Sequence, residues 1–380
     1  MQARVAADPR RGERVASWLG LALGVSFTVC FLTGLYSHFA QHPPSWFMLS
    51  ARPAGLYRVT QGVHVATGIA AVPLLLAKLW SVYPKLFVLP PVRSVAHALE
   101  RLSLLPLVGG SIFMLFSGVA NIDLWYPLPL FFPAGHYWVA WLTIGALVVH
   151  IGAKATTVRH ALARDRRPAD LDPTTATEGA DLRRGRRRFL LSVGAASGLL
   201  TLLTVGETVR PLRGLALLAP RDPDVGTQGF PVNRTAEEAG IVDEASSGGW
   251  RLMVTGAVER PLALSLEQIS RFPQREATLP IACVEGWSAS RRWRGVPLSA
   301  VLEAAGAPTG ASVTVRSLES GLYAQSDVDA DQAADPDTLL ALEVDGDRLA
   351  LDHGYPLRLI GPNRPGVLQT KWLREIEVHP

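Results

Sequence analysis

The sequence predicts two structural halves in one chain: an all-α transmembrane bundle of four spans plus a fifth anchoring helix, followed by an α+β domain. Three observations predict it. Five long, nearly uncharged apolar runs fall before residue 210. The chain of 380 residues is 48% hydrophobic, and its mean hydropathy of +0.19 is high for a chain without membrane segments. After residue 210 the pattern changes to short strand-like runs and capped helices in irregular order.

Residues 1–14 are polar and basic, ending Arg10-Arg11-Gly12-Glu13-Arg14. From Val15 to Ala51 there is no Asp, Glu, Lys or Arg, and Ser17 to Tyr36 is long enough for a membrane helix, which needs about 20 residues. The second run is Val59 to Ala77 and the third Leu102 to Ile122. The fourth lies within Leu124–Ala153, its helix starting near Tyr137, and the fifth runs from Phe189 to Gly206. Any one of them could be a buried helix of a soluble protein. Five in a row, each bounded by charges, argue for membrane spans.

Loop charges orient the bundle. Lys78, Lys85, Arg93 and Arg101 lie between the second and third spans, and arginines crowd the segment after the fourth. The connection from Asn121 to Gly135 has neither Lys nor Arg, and the first connection has only Arg52 and Arg58. The positive-inside rule then puts the N-terminus in the cytoplasm and residues 210–380 outside a multi-pass cytoplasmic membrane. Trp46, Trp125, Tyr126, Tyr137 and Trp138 fall where an outer aromatic belt would lie. The arginines come with no nucleic-acid-binding motif and read as topology signals.

Histidines inside a membrane are costly without a partner. His64 in the second span and His150 in the fourth are candidate axial ligands of a b-type haem, with His97 and His136 near span ends. The other reading is histidines hydrogen-bonded within the bundle. Depth weighs against the pair, because His150 lies close to Lys154 on the cytoplasmic side, whereas His64 begins its span from outside.

Residues 1–157 thus form the four-span part, and 158–188 form a basic cytoplasmic linker without hydrophobic period. The linker ends in Arg186-Arg187-x-Phe189-Leu190, which resembles the twin-arginine export motif. The same arginines would also serve as a plain positive-inside anchor. Residues 189–209 are the fifth helix and 210–380 the external domain.

In that domain residues 210–250 are mostly loop, and Trp250–Gly256 alternates as a strand. Ser265-Leu266-Glu267-Gln268 is a capping box opening a short helix to Arg271. Thr278–Ala282 is a strand leading into Cys283. Pro297–Ala305 reads as a helix with Gly306 past its end. Ser312–Ser317 is a strand, Pro336–Leu342 a short helix, and Asp345-Gly346 a hairpin turn. Pro356–Ile360 and Trp372–Val378 close the sheet. Cys283 is one of two cysteines, the other being Cys30 in an apolar run, so no disulfide framework can be argued. Alone, Cys283 is either a nucleophile or metal ligand in a cationic pocket or a small buried hydrophobe.

An ordered set of motifs decides between them. Cys283-Val-Glu-Gly-Trp-Ser288, Trp293-x-Gly295-Val-Pro-Leu298, Asp335-Pro-Asp-Thr-Leu-Leu340, Asp352-His-Gly-Tyr-Pro-Leu-Arg-Leu359 and Lys371-Trp-Leu373 follow one another. Together they resemble the molybdopterin-binding domain of the sulfite oxidase family, in particular the bacterial branch with the periplasmic methionine sulfoxide reductase catalytic subunit. The resemblance implies that Cys283 is the molybdenum thiolate ligand and that His353, Arg358 and Lys371 hold the pterin and its phosphate. It places Asn233 and Arg234 in an early cofactor-contacting loop and Tyr323 in the active-site tyrosine segment. One departure is Gly366-Val-Leu-Gln369 where the family has Gly-x-Lys-Ser, which puts Leu368 in place of a lysine and Gln369 beside the cofactor.

The expected function is oxygen-atom transfer on a small, possibly sulfur-containing substrate. The electron partner would be a membrane haem, a quinone or another carrier. Arg291, Arg292 and Arg294, close after the metal ligand, would favour an anionic substrate, with Arg291 as a catalytic candidate. Two alternatives remain: a non-enzymatic membrane-tethered binding module on the same fold, and a protein that is chiefly a transmembrane haem electron carrier.

Overall fold

The computed structural model describes residues 9–86, 94–127, 131–163, 173–206 and 209–380. Arg93 and the stretch 164–172 of the linker lie outside the described residues. By contacts the chain divides into two compact units: Met1–Thr33 with Val63–Gly206 and Gly214–Leu218, and Gly34–Gly62 with Glu207–Arg213 and Ala219–Pro380.

The long helices are α1 (Glu13–Gln41), α2 (Leu56–Leu86), α3 (Val95–Ile122), α4 (Phe132–Ala163) and α5 (Pro173–Val205); the first unit holds all of them except the end of α1 from Gly34 and the start of α2 to Gly62, which belong to the second. Each contains a stretch long and apolar enough to cross a membrane, from Glu13–Gln41 to Leu182–Val205. Their apolar residues surround the whole helix, and Leu21, Leu32, Leu102, Leu142 and Leu191 are exposed in the isolated chain, as lipid-facing residues are. Gly110 lets α3 and α4 approach closely: a methyl group there would sit 2.2 Å from the Thr143 hydroxyl oxygen. The linker is less extended than its composition predicts. From Pro173 it is already part of α5, so Arg186 and Arg187 stand on a helix continuous with the fifth span.

The second unit holds two five-stranded sheets. One has the order β2 (Leu262–Leu264), β1 (Leu252–Gly256), β10 (Leu373–His379), β5 (Ser312–Ser317), β6 (Gln325–Val328), with β1 and β10 parallel. The other runs β3 (Arg275–Ala282), β4 (Ser288–Pro297), β7 (Leu339–Val344), β8 (Asp347–Arg348), with β9 (Arg358–Ile360) also on β7. Helix α6 (Leu266–Ser270) opens with the expected capping box: Ser265 accepts from the Gln268 amide while Gln268 accepts from the Ser265 amide. Helix α7 (Leu298–Ala305) buries Leu298, Val301, Leu302 and Ala305 and stops at Gly306 in the left-handed conformation, φ +69°.

Residues 336–342 correct the sequence reading. The helix expected there is absent, and Leu339–Val344 is a central strand hydrogen-bonded to both β4 and β9. Pro336 mimicked a helix start, but Leu339, Leu340 and Ala341 are fully buried, and pairing on two sides overrides local propensity. The Asp345-Gly346 turn forms as expected, with φ of +52° and +96° at its two residues.

Candidate functional site

Strand β3 delivers Cys283 into a tight turn. The Gly286 amide donates to the Cys283 carbonyl (3.2 Å) and the Cys283 amide to the Trp287 carbonyl (3.0 Å). Gly286 has φ +97°, which its lack of a side chain permits. The sulfur is buried and receives a hydrogen bond from Asn233 Nδ2 at 3.0 Å. That amide is oriented in turn, because Arg221 Nη1 donates to Asn233 Oδ1 at 3.1 Å. Arg221 Nε also lies 3.6 Å from Glu285 Oε2, which accepts from Trp287 Nε1 at 3.1 Å. Burial pushes the Cys283 thiol up to about 12, and Glu285 adds to the shift, while Asn233 and Arg221 oppose it. Burial also raises the Glu285 carboxyl, against the pull of Arg221. Tyr323 is exposed, yet within electrostatic reach of both Cys283 and Glu285, and its hydroxyl is raised by partial burial and then by those two groups.

A second cluster is cationic. His353 stacks on Phe230, with ring centroids 3.7 Å apart and planes at 14°. Its Nε2 lies 2.6 Å from the Thr227 carbonyl oxygen, so Nε2 carries the proton and donates. Burial and then Arg358 hold this imidazole down to about 4, which keeps it neutral at pH 7. Arg358 is buried on β9; Nη1 donates to the His353 carbonyl at 3.1 Å, and buried Nε has no hydrogen-bond partner. Lys371 Nζ donates to the carbonyls of Arg234 (2.5 Å) and Asp352 (3.0 Å). Among the described residues no carboxylate forms an ion pair with Arg358 or Lys371, whereas Arg234 pairs with Glu319 at 2.9 Å. Burial lowers Arg358 to about 10, and burial with Arg358 lowers Lys371 to about 7. Arg358, buried with an orphaned N–H, and Lys371, partly buried with only Glu319 and Asp352 in electrostatic reach, form a site for an anion.

Lys371 gives a pH test with a definite sign. In the cofactor-free chain it is protonated below about pH 7 and neutral from there towards its ordinary 10.5. A bound anion favours the charged amine, so above pH 7 binding must take up a proton. Sulfate, which does not titrate in this range, is therefore expected to bind more weakly as pH rises from 7 to 9, approaching about tenfold per pH unit. Calorimetric titration should show the slope vanish in Lys371→Met.

Other expected site residues stand elsewhere. Arg291 does not face Cys283: its Nη2 donates to the carbonyls of Pro223 and Gly229 and to Asp224 Oδ1, and its guanidinium lies 5.6 Å from the Phe230 ring. It ties down the segment that carries Phe230, the stacking partner of His353. Arg294 pairs with Glu343. The cation beside the sulfur is Arg221, which sequence reasoning missed because it lies in a proline-rich loop sixty-two residues before Cys283. Arg221→Gln is expected to lower turnover about 10–100-fold, as removal of an outer-shell partner does, and Arg221→Lys to fall short of rescue because a single ammonium cannot reproduce the fork. Steady-state kinetics of the two variants checks this. Gln369 braces the site: its Nε2 donates to the carbonyls of Pro280 (3.1 Å) and Arg364 (3.2 Å).

In the helical unit His64 Nδ1 bonds the Cys30 carbonyl oxygen at 2.8 Å, and its ring lies 6.3 Å from that of His136. His136 Nδ1 is 2.9 Å from Ser117 Oγ. His150 follows His136 by fourteen residues on α4, about 21 Å along the helix, so the structure pairs His64 with His136 and not with His150.

The profile of the oxidoreductase molybdopterin binding domain matches residues 239–380. A Bacillus subtilis protein named uncharacterized oxidoreductase YuiH is 34% identical over 152 residues, covering 40% of this chain and 74% of that protein. The chain belongs to this oxidoreductase family. The putative protein-methionine-sulfoxide reductase subunit YedZ1 of Azospira oryzae is 33% identical over 164 residues, 42% of this chain and 61% of that protein. The protein-methionine-sulfoxide reductase catalytic subunit MsrP of Gluconobacter oxydans is 32% identical over 145 residues, 34% of this chain and 46% of that protein. The site fits the family's cofactor: a soft sulfur donor at Cys283, and the cations Arg358, with its orphaned N–H, and Lys371 for a phosphate.

Proposed function

We propose that this family member is a membrane-anchored enzyme that moves an oxygen atom between water and a small substrate outside the cytoplasmic membrane. The observation that carries the reading is one buried thiol, Cys283, in a domain that also holds buried Arg358 with an orphaned N–H and Lys371, neither in an ion pair with a carboxylate among the described residues. Cys283 would ligate the molybdenum, and a metal cation there reverses the upward shift of its thiol. Arg358 and Lys371 would hold the cofactor phosphate, with His353, Asn233, Arg234 and Gln369 completing its surroundings. The cofactor, when bound, supplies two-electron redox chemistry and oxygen exchange at the metal. The chain supplies the rest. Arg221 provides positive charge at the sulfur and favours a substrate with an anionic or strongly polar oxygen, sulfur oxides included. Glu285, raised by burial, stands ready to give or take a proton, and Tyr323 offers a hydroxyl to orient the substrate oxygen.

Five apolar helices support anchoring in the membrane. The connection between α1 and α2 belongs to the same compact unit as the C-terminal domain, which supports their lying on one side of the membrane. Four spans, α2 to α5, separate them, an even number that agrees with loop charges placing this side outside. His64 and His136 support a haem in the helical unit that relays electrons to a quinone or another carrier, since their rings lie 6.3 Å apart and each Nδ1 is held by a hydrogen bond.

The test is molybdenum and pterin content of the full chain purified from a host that makes the cofactor, with its visible spectrum. About one molybdenum per chain and a Soret band lost in His136→Leu are expected. A folded chain without molybdenum would overturn the enzyme mechanism, and a colourless one the haem.

A further inference from the structure

The first connection between membrane helices is built into the domain that carries Cys283. Asn363 sits at φ +52° and is 2% exposed. Its side chain accepts from the Tyr57 amide (2.7 Å) and donates to the Ser50 carbonyl (2.7 Å) and the Tyr36 hydroxyl (3.2 Å). Its own amide donates to the Ala54 carbonyl at 2.9 Å. A buried asparagine thus makes its side-chain hydrogen bonds to the connection.

A row of acidic residues takes the rest. The amides of Leu49 and Ala51 donate to Asp329 and Asp331 (3.0 and 2.9 Å). Arg52 spans Asp335 and Asp337, with Nε 2.9 Å from Asp335 and Nη2 2.5 Å from Asp337. Charge-assisted, two-pronged contacts of this kind set register as well as hold.

The connection also reaches both flanks of the metal ligand. Ala40, Leu49 and Tyr57 bury themselves against Ala282, the residue before Cys283. Gln61 Nε2 donates to the carbonyl of Val284, the residue after it, at 3.4 Å. Tyr57 is fully buried, and its hydroxyl is within hydrogen-bonding distance of Ser37 Oγ (3.1 Å), which in turn donates to Gln61 Oε1 (3.2 Å). Arg58 Nη1 donates to Ser290 Oγ, and Ser290 lies opposite Pro280 on β3. A passive tether would need Asn363 and Arg52 alone. Contacts to residues 282 and 284 do something else: they fix the turn that aims the Cys283 sulfur.

We propose that residues 49–61 complete the molybdenum site as an intramolecular clamp, with Tyr57 and Gln61 as positioning residues for the Cys283 turn. This rests on Cys283 being the metal ligand. The clamp explains why a connection between membrane spans carries so many contacts to the catalytic domain, and it makes that domain incomplete when cut from the membrane half.

Hydrogen exchange and electron paramagnetic resonance on the full chain in detergent test it. Arg52→Ala and Asn363→Gly (glycine keeps the positive φ) are expected to speed exchange in peptides covering 47–57. They should also speed exchange about tenfold at the amides of Cys283 and Gly286, as loss of hydrogen bonds from buried groups does. Gln61→Leu is expected to leave 47–57 protected, shift the Mo(V) signal and lower kcat about tenfold with KM unchanged. Opening of 47–57 with the turn still protected and the Mo(V) signal unmoved would overturn the clamp. Absence of molybdenum from the wild-type chain would instead overturn the proposed function, and the exchange arm would still decide the clamp.

Discussion

Cys283→Ser should lower turnover more than about a hundredfold, beyond what is typical for loss of an outer-shell partner, while leaving the fold in place. The side chain is buried and contributes a single sulfur to its cluster, so exchange for oxygen removes little packing. What changes is the donor. A thiolate is soft and suits the metal, whereas an alkoxide is hard and strongly basic. The Asn233 hydrogen bond at 3.0 Å and the Arg221 charge behind it stabilise a thiolate and would not deprotonate a serine. Turnover with an artificial electron carrier, molybdenum content and circular dichroism separate loss of metal from loss of fold. A serine variant that keeps its molybdenum and more than about a tenth of its turnover would remove Cys283 from the role of ligand. Asn233→Ala should fall between, about 10–100-fold down with the metal retained, because it touches the sulfur and does not replace it.

What could be read ahead of the structure follows the range of the forces concerned. Apolar runs of this length are set by local hydropathy, so each of the five falls on a helix, although α2, α4 and α5 extend well beyond their runs. The capping box at Ser265 and the turn at Asp345-Gly346 depend on neighbours two or three positions away, and both form. Pro336–Leu342 misled because its fate depends on β4 and β9, strands distant in sequence. The same limit applies to charge. Arg291 stands close to Cys283 along the chain, yet it is held by Asp224 and Gly229, and distant Arg221 takes its place. The histidine pairing needed helix depth, where fourteen residues separate His136 from His150. Asn363 had no legible signal beyond a turn-forming Gly-Pro-Asn-Arg stretch, since its partners lie more than three hundred residues earlier.

The Trp293-x-Gly295 motif carries the largest effect expected on stability. Gly295→Ala should destabilise the C-terminal unit by more than about 3 kcal/mol, in the range of severe overpacking. Gly295 lies at the irregularity where the β4–β7 register shifts. A methyl group there would sit 2.2 Å from the Leu340 carbonyl oxygen and 2.6 Å from the Ala341 Cα. Both are backbone atoms of a central strand, so neither can rotate away, and relief requires β4 and β7 to separate. The position does not have a positive φ, so conformational freedom is not the reason for glycine. Gly310 provides the contrast: it has φ +81° with open space around it. Gly310→Ala therefore measures the left-handed penalty alone, about 1–2 kcal/mol. Denaturation followed through buried Trp293 distinguishes the two. Equal costs would show that β4 and β7 relax around the methyl. The unequal result expected ties the motif to chemistry, because β4 holds β3 along its length, and β3 ends at the residue before Cys283.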